Sequence, residues 1–315
     1  MKKLMVIPLV AAGMAAMVGC SKTPVKEAAK NDAINLANLD TAVAPGTDFY
    51  QYACGGWMKN NPLKPEYARF GTFDQLRDNN QEQIRTLIEG LSETPGQEGS
   101  VGQKIGMLFA MGMDSVKLNE DGYAPIKDQL AEINKLGTKD ELTKMVATLH
   151  KEGMAPFFAL YVGADEKNSS MNIVQLYQAG LGMGDRDYYL LEDESSQKMR
   201  EAYKNYITRL FTLIGSSPEQ ADAAVNAIMK IERGIAEVSF SREDLRDSQK
   251  NYNKMSIEDF KAKNDLLNWD VYFESMGMMD IKYLDAKQLS FYEGLSALMK
   301  NTTLDEQKYY LTFNL

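Results

Sequence analysis

Apolar residues recur at helical spacing along most of the chain. Ile84, Leu87, Ile88 and Leu91 form one stripe, and the run from Pro95-Gly96 to Gly99-Ser100 breaks it. A second helix is predicted over 101–113. Ile126, Leu130, Ile133 and Leu136 predict a third, and Leu142, Met145, Val146 and Leu149 a fourth that Gly153 stops. Longer stripes follow. One runs through Met199, Tyr203, Tyr206, Ile207, Leu210, Phe211 and Ile214 to Gly215. The next runs through Ala221, Ala224, Val225, Ile228, Ile231, Ile235 and Val238. A single region departs from this period. Phe157 to Val162 and Met171 to Tyr177 are apolar, aromatic or alternating, and Asn168-Ser169-Ser170 between them predicts the turn of a hairpin.

Helix starts are written in the polar residues. Thr138 with Glu141, Ser217 with Gln220, and Thr303 with Glu306 have capping-box spacing, in which each side chain satisfies an amide that the helix leaves open. Pro218 adds a proline at a first helical position. The last of these helices reaches Leu315 with Leu311, Phe313 and Leu315 still apolar and no stop signal. The expectation is an interrupted helix that leaves those three residues uncovered. The fold class is therefore mainly α, a multi-helix lobe with a small β-hairpin around 157–177.

Composition narrows the function classes. With 44% hydrophobic and 25% charged residues over 315 positions, the chain can bury a sizeable core. A net charge of -9 and the lack of a basic stripe argue against a nucleic-acid partner. The 19 methionines read as core filler.

The first 20 residues read as an address. Lys2 and Lys3 precede an apolar stretch from Leu4 to Val18 that is too short to span a bilayer. It ends in Met17-Val18-Gly19-Cys20, which resembles the lipobox of bacterial lipoproteins. Residues 1–20 are then a signal peptide, with lipidation at Cys20 tethering the mature chain to the membrane. Residues 21–45, small and polar, read as a tether. Ser21 is not aspartate and no acidic run follows, so the expected location is the cell envelope, on the outer membrane facing the periplasm.

The stretch from Asp48 to Arg77 combines seven aromatics with turn-forming glycines and prolines, which predicts a rigid irregular element. Its D-F-Y-Q-Y-A-C-G-G-W and R-F-G-T-F-D-Q-L-R resemble the N-terminal signature of the neprilysin and endothelin-converting-enzyme family of zinc metallopeptidases. K-I-G-M-L-F-A-M-G-M-D, G-L-G-M-G-D-R-D-Y-Y-L, the run from Glu232 to Asp247 with N-Y-N-K-M-S, and N-W-D-V-Y-F continue the similarity over 46–315. Gly184 stands where the family usually has proline, which is expected to loosen that turn. The resemblance implies the N-terminal, cavity-forming part of a peptide-cleaving enzyme, truncated before its zinc site. It further implies peptide substrates and a C-terminal half as partners. Relatives tend to bridge the cysteine of Y-x-C-G-G-W; here Cys54 is a buried free thiol or pairs outside the chain. The resemblance also implies that Arg69, Asp74 and Arg77 face substrate, Arg69 holding the C-terminal side of a bound peptide and Asp74 fixing the arginines. A structural ion-pair group is the competing role.

The chemistry itself is missing from the sequence. A gluzincin site needs H-E-x-x-H on a helix, two imidazoles on one face with a glutamate to activate water. The only histidine is His150, followed by Lys151, so no metal site and no zinc cofactor are expected in this chain. His150 reads as a last-turn residue favoured by the helix C-terminus. Neither a Ser-His-Asp triad nor a phosphate loop is complete, and the acidic clusters read as solvated surface. Two alternatives stay open: a non-catalytic lipoprotein that captures peptides or a partner, and a zinc-independent enzyme.

Overall fold

The computed structural model describes residues 35–63 and 69–315, so Cys20 and the signal segment lie outside the described residues. It divides between Met113 and Asp114 into two compact units.

The first unit holds α1 (Phe49–Asn60), α2 (Thr72–Glu93) and α3 (Val101–Met113). The Asp48 carboxylate starts α1 by accepting the Gln51 N–H at 2.9 Å. Part of the expected tether is ordered here. Asp40 N–H donates to Tyr52 O at 2.8 Å, and its carboxylate accepts from Gln51 Nε2 at 3.1 Å. Composition missed this because the segment is held by α1 rather than by its own periodicity. Trp57 stacks on Phe70 with ring centres 6.0 Å apart. α3 approaches α2 at Gly106, where a Cβ would lie 2.3 Å from Leu91 O.

The second unit begins with α4 (Ser115–Asp121), α5 (Lys127–Lys135) and α6 (Lys139–Lys151). The hairpin β1 (Phe158–Asp165) and β2 (Asn168–Gln178) follows, then α7 (Asp187–Leu190), α8 (Glu194–Leu213) and α9 (Pro218–Val238). The remainder is β3 (Lys254–Ser256), α10 (Ile257–Lys263), α11 (Trp269–Met276), β4 (Tyr283–Ala286), α12 (Leu289–Lys300) and α13 (Leu304–Asn314). All three predicted capping boxes form, at the starts of α6, α9 and α13.

The hairpin is antiparallel as expected, but its turn is Glu166-Lys167. Asn168, Ser169 and Ser170 already belong to β2. Asp165 decides this, because its carboxylate accepts the Lys167 N–H at 3.0 Å and closes the chain two residues early. The hairpin also grows into a four-stranded sheet of order β1-β2-β4-β3, with β4 parallel to β2 and antiparallel to β3. Phe157 is not in the strand. It is buried with φ 67°, a left-handed conformation that L residues rarely adopt.

Two apolar clusters form the core of this unit. The larger joins α6, the sheet, α9 and α10 to α13 around Phe158, Trp269, Tyr272 and Tyr292; the smaller joins α7, α8 and α9 around Tyr189, Tyr203 and Ile207. The terminal residues are partly covered, where the stripe alone predicts none to be. Leu311 is fully buried, Phe313 packs edge-on against Tyr203 and Tyr206, and Leu315 rests on the larger cluster. α13 lies along α9, and that neighbour supplies the cover that the stripe alone could not reveal.

Candidate functional site

Of the three residues expected to face substrate, Asp74 and Arg77 are bonded to each other. Asp74 is the third residue of α2, where its carboxylate accepts the Gly71 N–H at 2.9 Å. Glycine has no side chain to return the bond, so only half of a capping box forms. Arg77 Nη1 pairs with Asp74 at 3.0 Å, one turn along the helix, and Nη2 reaches Asp78 at 3.4 Å. Arg69 is exposed in the extended stretch before the helix, and among the described residues no hydrogen bond or ion pair joins it to Asp74. Asp74 thus holds one arginine, not both.

His150 sits in the last turn of α6, but as a neutral core residue rather than a cation on the helix dipole. Nε2 faces Pro156 O at 3.1 Å, a pure acceptor, so Nε2 carries the proton and Nδ1 accepts from Tyr272 Oη at 2.6 Å. Burial pushes its pKa down to about 4. Cys54 is a half-buried free thiol.

A concavity of about 500 Å³ lies in the second unit, beside the loop 180–186. Three anchors hold the loop. Tyr310 Oη donates to Gly180 O at 2.9 Å and accepts the Phe157 N–H at 3.1 Å. A Cβ on Gly180 would lie 2.6 Å from that hydroxyl, and its φ of 97° also favours glycine. Gly182 N–H donates to Glu232 Oε1 at 3.2 Å, and Met183 N–H donates to Tyr189 Oη at 2.9 Å. Gly184, expected to loosen the turn, instead tightens it. Its N–H donates to Leu181 O at 3.0 Å at a φ of 77°, and a proline can offer neither.

Beneath the loop Glu232 is almost wholly buried and accepts three hydrogen bonds. Besides Gly182, Tyr203 Oη donates at 3.0 Å and Tyr189 Oη at 2.7 Å. Burial outweighs these donors and lifts its pKa to about 7; the same burial, with the carboxylate alongside, raises both tyrosines. Sequence reasoning passed over Glu232. The available signal was its place four residues after Ile228, a charged side chain on the apolar stripe of α9. Farther round the cavity, Asp185 pairs with Arg242, and Arg186 Nη1 donates to Ser239 O at 2.8 Å.

The model of peptidase family M13 matches residues 45–315. The chain belongs to peptidase family M13. Among M13 relatives, endothelin-converting enzyme 1 of Homo sapiens is 30% identical over 292 residues, covering 89% of this chain and 37% of that protein. The Mus musculus enzyme is 29% identical over 340 residues, covering 100% and 43%. The crystal structure of Mycobacterium tuberculosis zinc metalloprotease ZMP1 with an inhibitor superposes with a TM-score of 0.79 at 24% identity, covering 89% of this chain and 43% of ZMP1. PEPO from Lactobacillus rhamnosis gives 0.66 at 19% identity, covering 85% and 42%. The chain spans less than half the length of these relatives. The family expected from the motifs is the family found, and the ZMP1 superposition matches the helical lobe.

ZMP1 is a zinc metalloprotease, which raises the question whether the residues here fit zinc. They do not fit it. His150 has both ring nitrogens engaged inside the core, and among the described residues no three histidine, cysteine or carboxylate side chains converge as a metal-binding group. No step of zinc chemistry is assigned to this chain.

Proposed function

We propose that this chain is the N-terminal, cavity-forming part of a neprilysin-like zinc metalloendopeptidase acting on peptides, with the H-E-x-x-H site supplied by a C-terminal half. The observation that carries the reading is the match to family M13 over 45–315 in a sequence that has one histidine and no H-E-x-x-H. In this reading Arg69, Asp74 and Arg77 face the bound peptide, Arg69 meeting its C-terminal side and Asp74 holding Arg77. Lipidation at Cys20 holds the protein on the outer membrane facing the periplasm.

The test combines the full chain with a C-terminal half from an M13 relative that carries H-E-x-x-H, and follows an internally quenched peptide. Chelator-sensitive cleavage is expected only when both halves are present. Cleavage by the single chain with one tightly held zinc would refute it. Mass spectrometry of membrane-extracted protein should find an acyl adduct on Cys20; an unmodified N-terminus upstream of it rules the anchor out.

One observation favours a second reading, a peptide-binding lipoprotein that hydrolyses nothing. Leu311 is fully buried and Phe313 and Leu315 are half-buried within the second unit, which supports a unit that folds by itself. A stable monomer that binds peptides yet gains no cleavage from any added half would select it.

A further inference from the structure

The cavity beside the 180–186 loop contains a guanidinium with unused hydrogen-bonding capacity. Arg186 Nη1 is committed to Ser239 O, but Nε is buried and, among the described residues, has no partner. The adjacent Asp185 does not serve it. That carboxylate pairs with Arg242 and accepts the Asp187 N–H at 2.9 Å. A buried donor left open on a cation is costly, so the arrangement is one that an incoming acceptor would complete.

The shape of the open edge specifies the acceptor. With Nη1 turned to Ser239, the remaining edge is the Nε–Nη2 fork, whose two parallel donors match the two oxygens of a carboxylate. Nε is buried, and no hydrogen bond among the described residues engages Nη2, so an acceptor approaches the fork from the Nη2 side. Local charge agrees. The charged groups lining the cavity are Asp185, Arg186 and Arg242, two cations to one anion, within a chain of net charge -9. Gln178 does not compete for the ligand, since its amide is engaged with the Phe240 backbone at both ends, 2.7 and 3.2 Å. About 500 Å³ admits a few residues of extended peptide.

We propose that Arg186 anchors a binding site for a peptide carboxylate, from either an acidic side chain or a free C-terminus. That the carboxylate belongs to a peptide rests on the function proposed above; recognition of the carboxylate does not. The tests are separable, because the earlier one reads cleavage by combined halves and this one reads equilibrium binding to the chain alone.

Calorimetric titration of the full chain would use two matched pairs. Acetyl-Gly-Glu-Gly-amide against its glutamine counterpart reads the side-chain source. Acetyl-Ala-Ala-Ala with a free carboxylate against its amide reads the terminal source. At least one acid should bind about tenfold more tightly than its neutral partner, the worth of one charge-assisted fork, and the better pair identifies the source. Arg186→Gln should abolish the preference. If that variant does not fold, the Arg186 Nε–H resonance of the unaltered protein decides instead: it should move downfield with the acid and stay in place with the amide. Equal binding of each pair, a preference that survives Arg186→Gln, or a resonance that does not respond would overturn the proposal.

Discussion

Replacing Glu232 with glutamine should change how stability depends on pH. Glu232 is enclosed by Tyr189, Tyr203 and the Gly182 amide, and burial lifts its pKa from 4.5 to about 7. The folded state therefore holds the proton more tightly than the unfolded chain. The carboxyl's contribution to stability is full below pH 4.5, declines as pH rises, and is lost once pH passes about 7. Each tenfold change in proton affinity is about 1.4 kcal/mol, so ionised Glu232 costs about 3 kcal/mol relative to its protonated form. Glutamine keeps the volume and an acceptor for Gly182 but cannot ionise. The stability of Glu232→Gln relative to the parent should therefore rise by about 3 kcal/mol between pH 4.5 and pH 8. Urea unfolding would be followed by Trp269 fluorescence in a Trp57→Phe background, which confines the signal to the second unit. Other titrating groups are common to both proteins and cancel in the difference. A difference that stays flat across this range would refute the argument, since the carboxylate would then be as well solvated by its three donors as by water.

Three further outcomes are expected. His150→Phe should cost about 2 kcal/mol, because Tyr272 loses its acceptor inside the core, and would be measured by urea unfolding at pH 7. In the parent, neutral His150 supports stability fully above pH 6.5 and loses that support as pH falls toward 4; imidazole NMR signals should show no titration above pH 5. Gly106→Ala should cost the first unit about 2 kcal/mol, since the added methyl meets the Leu91 carbonyl at 2.3 Å, a backbone atom that cannot rotate away. Trp57 fluorescence would report it. Arg69→Ala, made at the matching position of a full-length M13 relative, should weaken peptides with a free C-terminus more than amidated ones, and equal loss would return Arg69 to a structural role.

The helices were legible because their signals are local. Thr138, Ser217 and Thr303 each cap a helix from within four residues, and the stripes of α6, α8 and α9 carry their own period. The sheet was not. β3 and β4 have three and four residues, too few for a period to register, and β4 pairs with β2 from more than a hundred positions away. Asn168-Ser169-Ser170 looked like a turn on residue preference, and a single side-chain bond from Asp165 overrode it. The site followed the same division. The motif around Gly180 was read directly, whereas Glu232 and Arg186 acquire their character from burial and from distant partners such as Tyr203 and Ser239.

The knot at Tyr310 has a consequence for the order of assembly. One hydroxyl satisfies the Phe157 amide, 153 positions earlier, and the Gly180 carbonyl, 130 positions earlier. Phe157 is held in a left-handed backbone conformation, and its ring rests 4.7 Å from that of Tyr310. During synthesis the β1–β2 hairpin and the 180–186 loop emerge long before Tyr310, which ties down the residues at their edges. Until α13 docks, a strained aromatic and an open carbonyl await a partner, a long-range closure of the kind that slows folding. The loop that frames the cavity should therefore be the last part of this unit to set, and the part most exposed to chaperones or proteases while the chain is young.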